Sequence, residues 1–449
     1  MIDEHRPKVS LTAFAKGVAY FCPCRGVTMI NPGQWRSWIS AVGLQATHLV
    51  LVLAVVCLPA LGASPLAQAQ FKVLYTFTGG TDGGFPRARV IRDKKGNLYG
   101  TATWGGNLTC NSGNGCGVVY KLTKTGIETV LYSFAGGKDG ATPSAALIRD
   151  AKGNFYSTTA AGGNSGCLNQ GCGTIFKVDT KGKETVLYTF TGRTDGGSPS
   201  SALIMDKAGN FYGTASIGGN LNCGQYGCGV VYKLSKNGKE SVLYSFNGTD
   251  GSAPRVDSLA VDTKGNFYGT TQLGGDPTCM CGVVFKLTTT GKETVLHTFT
   301  GGATDGSYPL SGVNPDTKGN LYGTAFGGGA NGKGIAFTIT NRVYNRMWDF
   351  GSGSDAASPV AGFTIAGNNK LYSALSTGGT LGSGALVVLD PITKTEKVLH
   401  SFNYSIDGGS PAADIFLAQI RNRIFGYGTN SQGGTTQKGA GYGTVWNFR

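Results

Sequence analysis

Histidine is nearly missing from this chain: there are four in 449 residues, and two of them, His5 and His48, precede residue 70. The other two, His297 and His400, fall at one position of an internal repeat where other copies carry Tyr75, Tyr132, Tyr188 and Tyr244. They read as substitutes for a packing aromatic. No Ser-His-Asp or Cys-His arrangement, and no histidine-rich metal site, can be assembled from that supply, which removes most hydrolase and lyase chemistries. Acid is short as well, with 25 Asp and Glu against 39 Lys and Arg and a formal charge of +14. The bases are scattered through segments such as Lys94-Lys95, Lys181-Gly182-Lys183 and Lys236-Asn237-Gly238-Lys239. That dispersal excludes the clustered basic face of a nucleic-acid binder. It leaves a slightly cationic surface to which anionic glycans or cell-envelope components are suitable partners.

Long apolar runs are also lacking. Residues 49–61 (LVLVLAVVCLPAL) are apolar and uncharged, with Arg36 upstream. About 13 residues fall short of the roughly 20 a membrane helix needs. The run reads as the core of an export signal, with Ala67-Gln68-Ala69 as the small-x-small cleavage pattern. An uncleaved anchor is the rival reading; lipid attachment at Cys57 is disfavoured by Val56 before it. A signal this far from Met1 makes Met29 a second candidate start, with 1–28, including Cys22 and Cys24, as an upstream extension. Residues 1–69 are thus expected to be extension and signal, and 70–449 the mature protein, with no transmembrane span and as a monomer.

What the chain has in excess is glycine, 74 residues against only 15 proline. With abundant Tyr, Phe, Val and Thr, this composition points to short strands joined by turns. The strands repeat. A Tyr in a Phe-Tyr-Gly-Thr-like phrase recurs at Tyr99, Tyr156, Tyr212, Tyr268, Tyr322, Tyr372 and Tyr427, and a Gly-Gly pair follows each one. A Phe closing a VLYSF-like phrase recurs at Phe77, Phe134, Phe190, Phe246, Phe299, Phe350 and Phe402. In the third copy four apolar-alternating runs stand out, at 201–206, 211–215, 229–234 and 241–246. Glycine-containing hairpins join the first to the second and the third to the fourth, and the two other connections are long. Four strands in about 50 residues make a propeller blade, and seven copies predict an all-β, seven-bladed propeller. A β-sandwich pair or an open solenoid is the alternative. Both long connections emerge on one face, where propellers usually recognise ligands. The mature chain opens on a fourth strand (71–77) and ends on a third (443–448), so the N-terminal strand is expected to complete the last blade and close the ring.

The pattern DG..P…L..D..GN.YGT…GG…CGVVYKL…G.ETVLYSF resembles the bacterial GloVer tandem repeat of choice-of-anchor proteins over residues 71–448. The resemblance implies an exported, surface-associated protein and brings no activity with it. The sequence ends at Arg449 without a hydrophobic tail or sorting motif, which argues against such an anchor here. A looser similarity to Kelch repeats rests on the Gly-Gly pair alone.

Eight cysteines beyond residue 70 pair within the Gly-Gly loops of four copies: Cys110/Cys116, Cys167/Cys172, Cys223/Cys228 and Cys279/Cys281. Copies five to seven lack both members, the pattern expected of disulfides. Zinc is the rival, but each pair would need two further ligands in a chain with almost no histidine. Cys279 and Cys281, one residue apart, would make a strained bridge. The acids Asp82, Asp139, Asp195, Asp250, Asp305 and Asp407, with Asp355 at the same place in copy six, could ring a calcium site; local turn chemistry is the simpler reading. Asp93, Asp150, Asp206, Asp262 and Asp316 open the short hairpins and read as turn residues.

Candidate binding residues lie where copies disagree. Three residues after the loop proline the innermost strand carries Arg89, Ala146, Ala202, Asp257, Gly312, Gly362 and Asp414, so Arg89, Asp257 and Asp414 break a rule of small residues. Arg87 and Arg255 follow the proline directly. Arg89 and Asp414 could pair across the seam between the last and first blades, as a salt bridge or as a polar pocket. Trp104, beside the first Gly-Gly pair, could stack on a sugar. The expectation is a non-enzymatic binding or structural scaffold with no cofactor, metal or catalytic residue, its long-loop face toward the ligand. The competing expectation is a carbohydrate-active enzyme, a glycan hydrolase or lyase, using Asp257 and Asp414 at the channel mouth.

Overall fold

The structure is a computed structural model, and it describes residues 70–254, 259–420, 423–437 and 439–449. The export signal at 1–69, with its apolar run 49–61 and cleavage near Ala69, and the candidates Arg255 and Asp257 lie outside the described residues. The described chain folds as a seven-bladed antiparallel β-propeller. In the third blade the strands are Ile204–Met205, Phe211–Ala215, Val230–Leu234 and Glu240–Ser245, paired in chain order. Three of the four expected runs are therefore strands to within a residue, while the innermost shrinks to two residues. No helix among the described residues is long and apolar enough to cross a membrane.

The Phe-Tyr-Gly-Thr phrase is legible atom by atom. Its first residue, Leu98 in blade one, is buried between blades. Its tyrosine hydroxyl turns to the short hairpin, where Tyr99 donates to Asp93 at 3.1 Å. Its glycine leaves room for the next strand: a Cβ on Gly100 would lie 2.5 Å from the Tyr120 hydroxyl. Its threonine crosses to the following blade, Thr101 Oγ1 donating to the Ala145 carbonyl at 3.0 Å. Thr158, Thr270 and Thr324 make the same crossing to Ser201, Ser311 and Ala361. These hydroxyls supply donors to buried innermost-segment carbonyls.

A second stitch sits at the loop proline. The residue before it has positive φ in all seven copies, from Phe85 (56°) through Thr142 (59°) to Ser410 (53°). A non-glycine residue is strained there, at a cost of about 1–3 kcal/mol. The conformation aims its N–H at the preceding blade: Thr142 donates to the Cys116 carbonyl at 3.0 Å and Ser198 to Cys172 at 2.8 Å. The proline then packs on a glycine of that blade; a Cβ on Gly117 would meet Pro143 Cδ at 2.4 Å.

The last blade is completed by the chain's first strand. Lys72–Thr76 pairs antiparallel with Thr444–Phe448, which pairs in turn with Arg423–Gln432. The register break between Val73 and Tyr75 matches the one between Val119 and Tyr120 in blade one. Thr429 Oγ1 donates to the Ala88 carbonyl at 3.3 Å, and Phe85 N–H to the Tyr442 carbonyl at 2.7 Å, so both stitches recur between last and first blades. Phe77, Tyr427 and Val445 share one buried cluster with Val90, Leu98 and Tyr120. Each such cluster lies between neighbouring blades, so a blade buries its faces only against its neighbours.

Candidate functional site

The innermost segments of blades one to three come together through small side chains. Ala88, Ala146 and Ala202 pack together, so in blade one it is Ala88, and not Arg89, that joins the alanines. Arg89 and Asp414 do line one cavity, with Ser144, Ala145 and Ser200, but its volume is about 10 Å³. That is the room of one water molecule and far too little for a sugar ring. The expected salt bridge across the seam is not formed. Asp414, 8% exposed, instead accepts the Gly362 N–H of the neighbouring blade at 2.7 Å, a contact that neutral backbone supplies without desolvating a second charge. Arg87 is exposed on the rim.

The loop acids are structural braces. Asp82 accepts from the Tyr75 hydroxyl at 2.9 Å and the Thr78 N–H at 2.8 Å, and Asp139 and Asp195 repeat the pattern with Tyr132 and Tyr188. The two histidines inherit this job along with the packing: His297 Nε2 lies 3.1 Å from Asp305 and stacks on Tyr344, and His400 Nε2 lies 2.8 Å from Asp407 and stacks on Phe71. Trp348 serves Asp355 in the same way, through Nε1 at 3.2 Å. Burial raises the Asp305 carboxyl, but hydrogen bonds from His297, Tyr344, Thr300 and Gly306 outweigh it and hold it at about 2. The hairpin acids are fixed likewise: burial opposes ionisation of Asp93, and bonds from Asn97, Tyr99 and Lys95 still bring its carboxyl below the usual range. Among the described residues no three His, Cys, Asp or Glu side chains gather as a metal-binding group.

The four cysteine pairs are joined as disulfides: Cys110–Cys116, Cys167–Cys172, Cys223–Cys228 and Cys279–Cys281, with Cα separations of 5.9, 5.1, 5.4 and 5.1 Å. They staple the second-to-third-strand loops on the long-loop face. On the same face Trp104 is half-buried against Phe85, ring centroids 4.0 Å apart, so one side of the indole is already occupied. It is also not alone there. Tyr308 and Phe326 in blade five are each 38% exposed, and Tyr226, Tyr404 and Tyr442 are exposed nearby in their own loops. Tyr308 stands at the strained position before its proline, as Phe85 does in blade one, and accepts the Phe326 N–H at 3.2 Å. The aromatic residue before the loop proline in copies one and five was visible in the sequence. Its meaning was not, because only the fold shows that this position sits on the rim.

No curated protein matches the chain. Among solved structures, the extracellular domain of a one-component system from B. thetaiotaomicron aligns with a TM-score of 0.51 at 10% identity, over 84% of this chain. This chain spans 39% of the length of that one. TolB from Acinetobacter baumannii aligns at 12% identity over 80% of this chain and 78% of its own, with a TM-score of 0.34. The Gloeobacter/Verrucomicrobia repeat matches residues 63–226 and again 221–446, nearly the whole of the described propeller. The chain is therefore a member of the Gloeobacter/Verrucomicrobia repeat family.

Proposed function

We propose that this chain is an exported or cell-surface binding or scaffold protein, presenting its long-loop face to a glycan or another cell-envelope component without catalysing a reaction. The observation that carries the reading is the set of exposed aromatic side chains in the long loops of that face, Tyr308, Phe326, Tyr404 and Tyr442 among them. The opposite face carries the lysine-bearing hairpins, where Ile127, Val343 and Ile392 are exposed but no aromatic side chain is among the exposed large apolar ones. Aromatic rings offer a flat apolar face to the C–H side of a sugar, and an exposed apolar patch on a loop face marks an interaction site. Arg87 on the same rim adds a cation suited to anionic glycans. Disulfides in the rim loops support an oxidising destination outside the cytoplasm. The enzymatic alternative paired Asp414 with Asp257, which lies outside the described residues.

The test is a glycan array probed with the full chain, followed by Trp104→Ala, Tyr308→Ala and Phe326→Ala. Binding to at least one glycan class is expected, weakened about tenfold by loss of an anchoring ring. Unfolding temperatures of the variants separate lost contact from lost fold. A protein that binds no glycan, or binds equally well without these rings, overturns the reading.

A further inference from the structure

The outermost strand of each blade carries, six residues before its core phenylalanine, a side chain directed to the preceding blade. In five blades it is a glutamate: Glu128, Glu184, Glu240, Glu293 and Glu396. Each lies beside the loop aspartate of the preceding blade, respectively Asp82, Asp139, Asp195, Asp250 and Asp355. In all five the Oε1 atom is buried and meets no hydrogen-bond donor. An ionised carboxylate placed this way faces another acid and leaves its buried Oε1 without a donor, which is costly. The Glu396 site repeats the problem from the other side, since Asp355 Oδ1 is also buried without a donor.

Blade five shows what the position does. There Tyr344 replaces the glutamate, and its hydroxyl donates to Asp305 Oδ1 at 2.7 Å. A glutamate can make that contact only as the protonated acid. We propose that these five seams are proton-binding sites: each glutamate is held as a neutral acid that donates toward the aspartate of the preceding blade, so the propeller is strengthened by mild acid and loosened as pH rises. The titratable groups facing each glutamate are acidic or neutral. From the preceding blade they are the loop aspartate and, before Glu128, Glu184, Glu240 and Glu293 in turn, Tyr75, Tyr132, Tyr188 and Tyr244; before Glu396 the corresponding position holds Trp348, which does not titrate and donates to Asp355. From their own blades Tyr120 faces Glu128, and Tyr232 faces Glu240.

Burial first, and the neighbouring aspartate's charge second, push Glu128, Glu184, Glu240 and Glu293 up from 4.5 to about 7. Burial, with the hydrogen bond and charge of Asp355, pushes Glu396 to about 9. Folded values above the unfolded one mean that the folded protein holds extra protons. The stability they contribute is complete below about pH 4.5 and disappears as pH rises through about 7, and for Glu396 through about 9.

The experiment follows thermal unfolding of the full chain from about pH 5 to about pH 8, the window in which these acids titrate. It compares wild type with a fivefold Glu→Gln variant, whose amides are neutral donors at every pH. The wild-type Tm is expected to fall by at least about 5 °C across that range, and the variant to stay level. Potentiometric titration should show wild type taking up several protons in that window that the variant does not. Tyr344→Phe, a donor lost without a titrating group, should lower Tm equally at each pH. Should the fivefold variant fail to fold, Glu396→Gln alone decides by a shallower slope. A wild-type Tm that is level or rises with pH, or Gln variants that keep the wild-type slope, overturns the proposal.

Discussion

A single glycine in the repeat phrase shows how much one residue decides. Gly100 lies over the Tyr120 ring, where a Cβ would come within 2.5 Å of the hydroxyl and 2.7 Å of Cζ. Gly213 over Tyr232 and Gly428 over Trp446 are equally tight. Blade six has the opposite solution, a serine at 373 registered against a short side chain, Val387. Gly100→Ala is therefore expected to cost about 1–3 kcal/mol by overpacking. Combining it with Tyr120→Val should be less destabilising than the two single changes summed, and a double-mutant cycle of unfolding free energies measures the coupling. The spacing of this glycine was plain in the sequence, but its reason was not. Repetition reveals that a position matters; only the packed neighbour across the ladder shows why.

At the level of elements, the three outer strands of each blade follow from alternation and turn chemistry, and the innermost does not. Ile91–Arg92 and Ile204–Met205 are two residues long because the segment before them surrenders its carbonyls to the neighbouring blade's threonine. Alternation in a single chain cannot register a bond made to another blade. The disulfides close short loops, with sequence separations of six for Cys110–Cys116 and five for Cys167–Cys172 and Cys223–Cys228. Loops of that length correspond to about 2 kcal/mol each in the chain-entropy account. Reduction should accordingly lower Tm and raise hydrogen exchange in the rim loops of blades one to four. The same loops in blades five to seven, which have no cysteine, should keep their exchange rates. Uniform change across all seven blades would show that the bridges act on the ring as a whole.

For the whole molecule the decisive contact is between the two ends of the described chain. Without residues 70–77 the last blade would lose its outer strand and Phe77, which is wholly buried between the last and first blades. Thr444–Phe448 would become an exposed edge rich in apolar side chains, the template on which sheets aggregate. Deleting these residues is expected to cost more than about 4 kcal/mol and to turn soluble expression into aggregation, as read by size-exclusion chromatography and thermal unfolding. A monomeric deletion variant with wild-type Tm would show that the N-terminal strand is dispensable.

The sequence by itself determined the blade count, the three outer strands of each blade and the face on which long loops gather. Each is a matter of period and local turn chemistry, which a repeated sequence displays seven times over. The same reading left Arg89 and Asp414 open between a salt bridge and a shared pocket, and they line one cavity without an ion pair; it passed over Tyr308, Phe326 and the five interblade glutamates. Those were left to the tertiary structure because their surroundings come from the neighbouring blade, about 50 residues away or, at the seam, from the far end of the chain. Which carboxyl meets a donor, which ring stays exposed and which cavity closes to about 10 Å³ depend on how adjacent blades pack, and no single repeat contains that information.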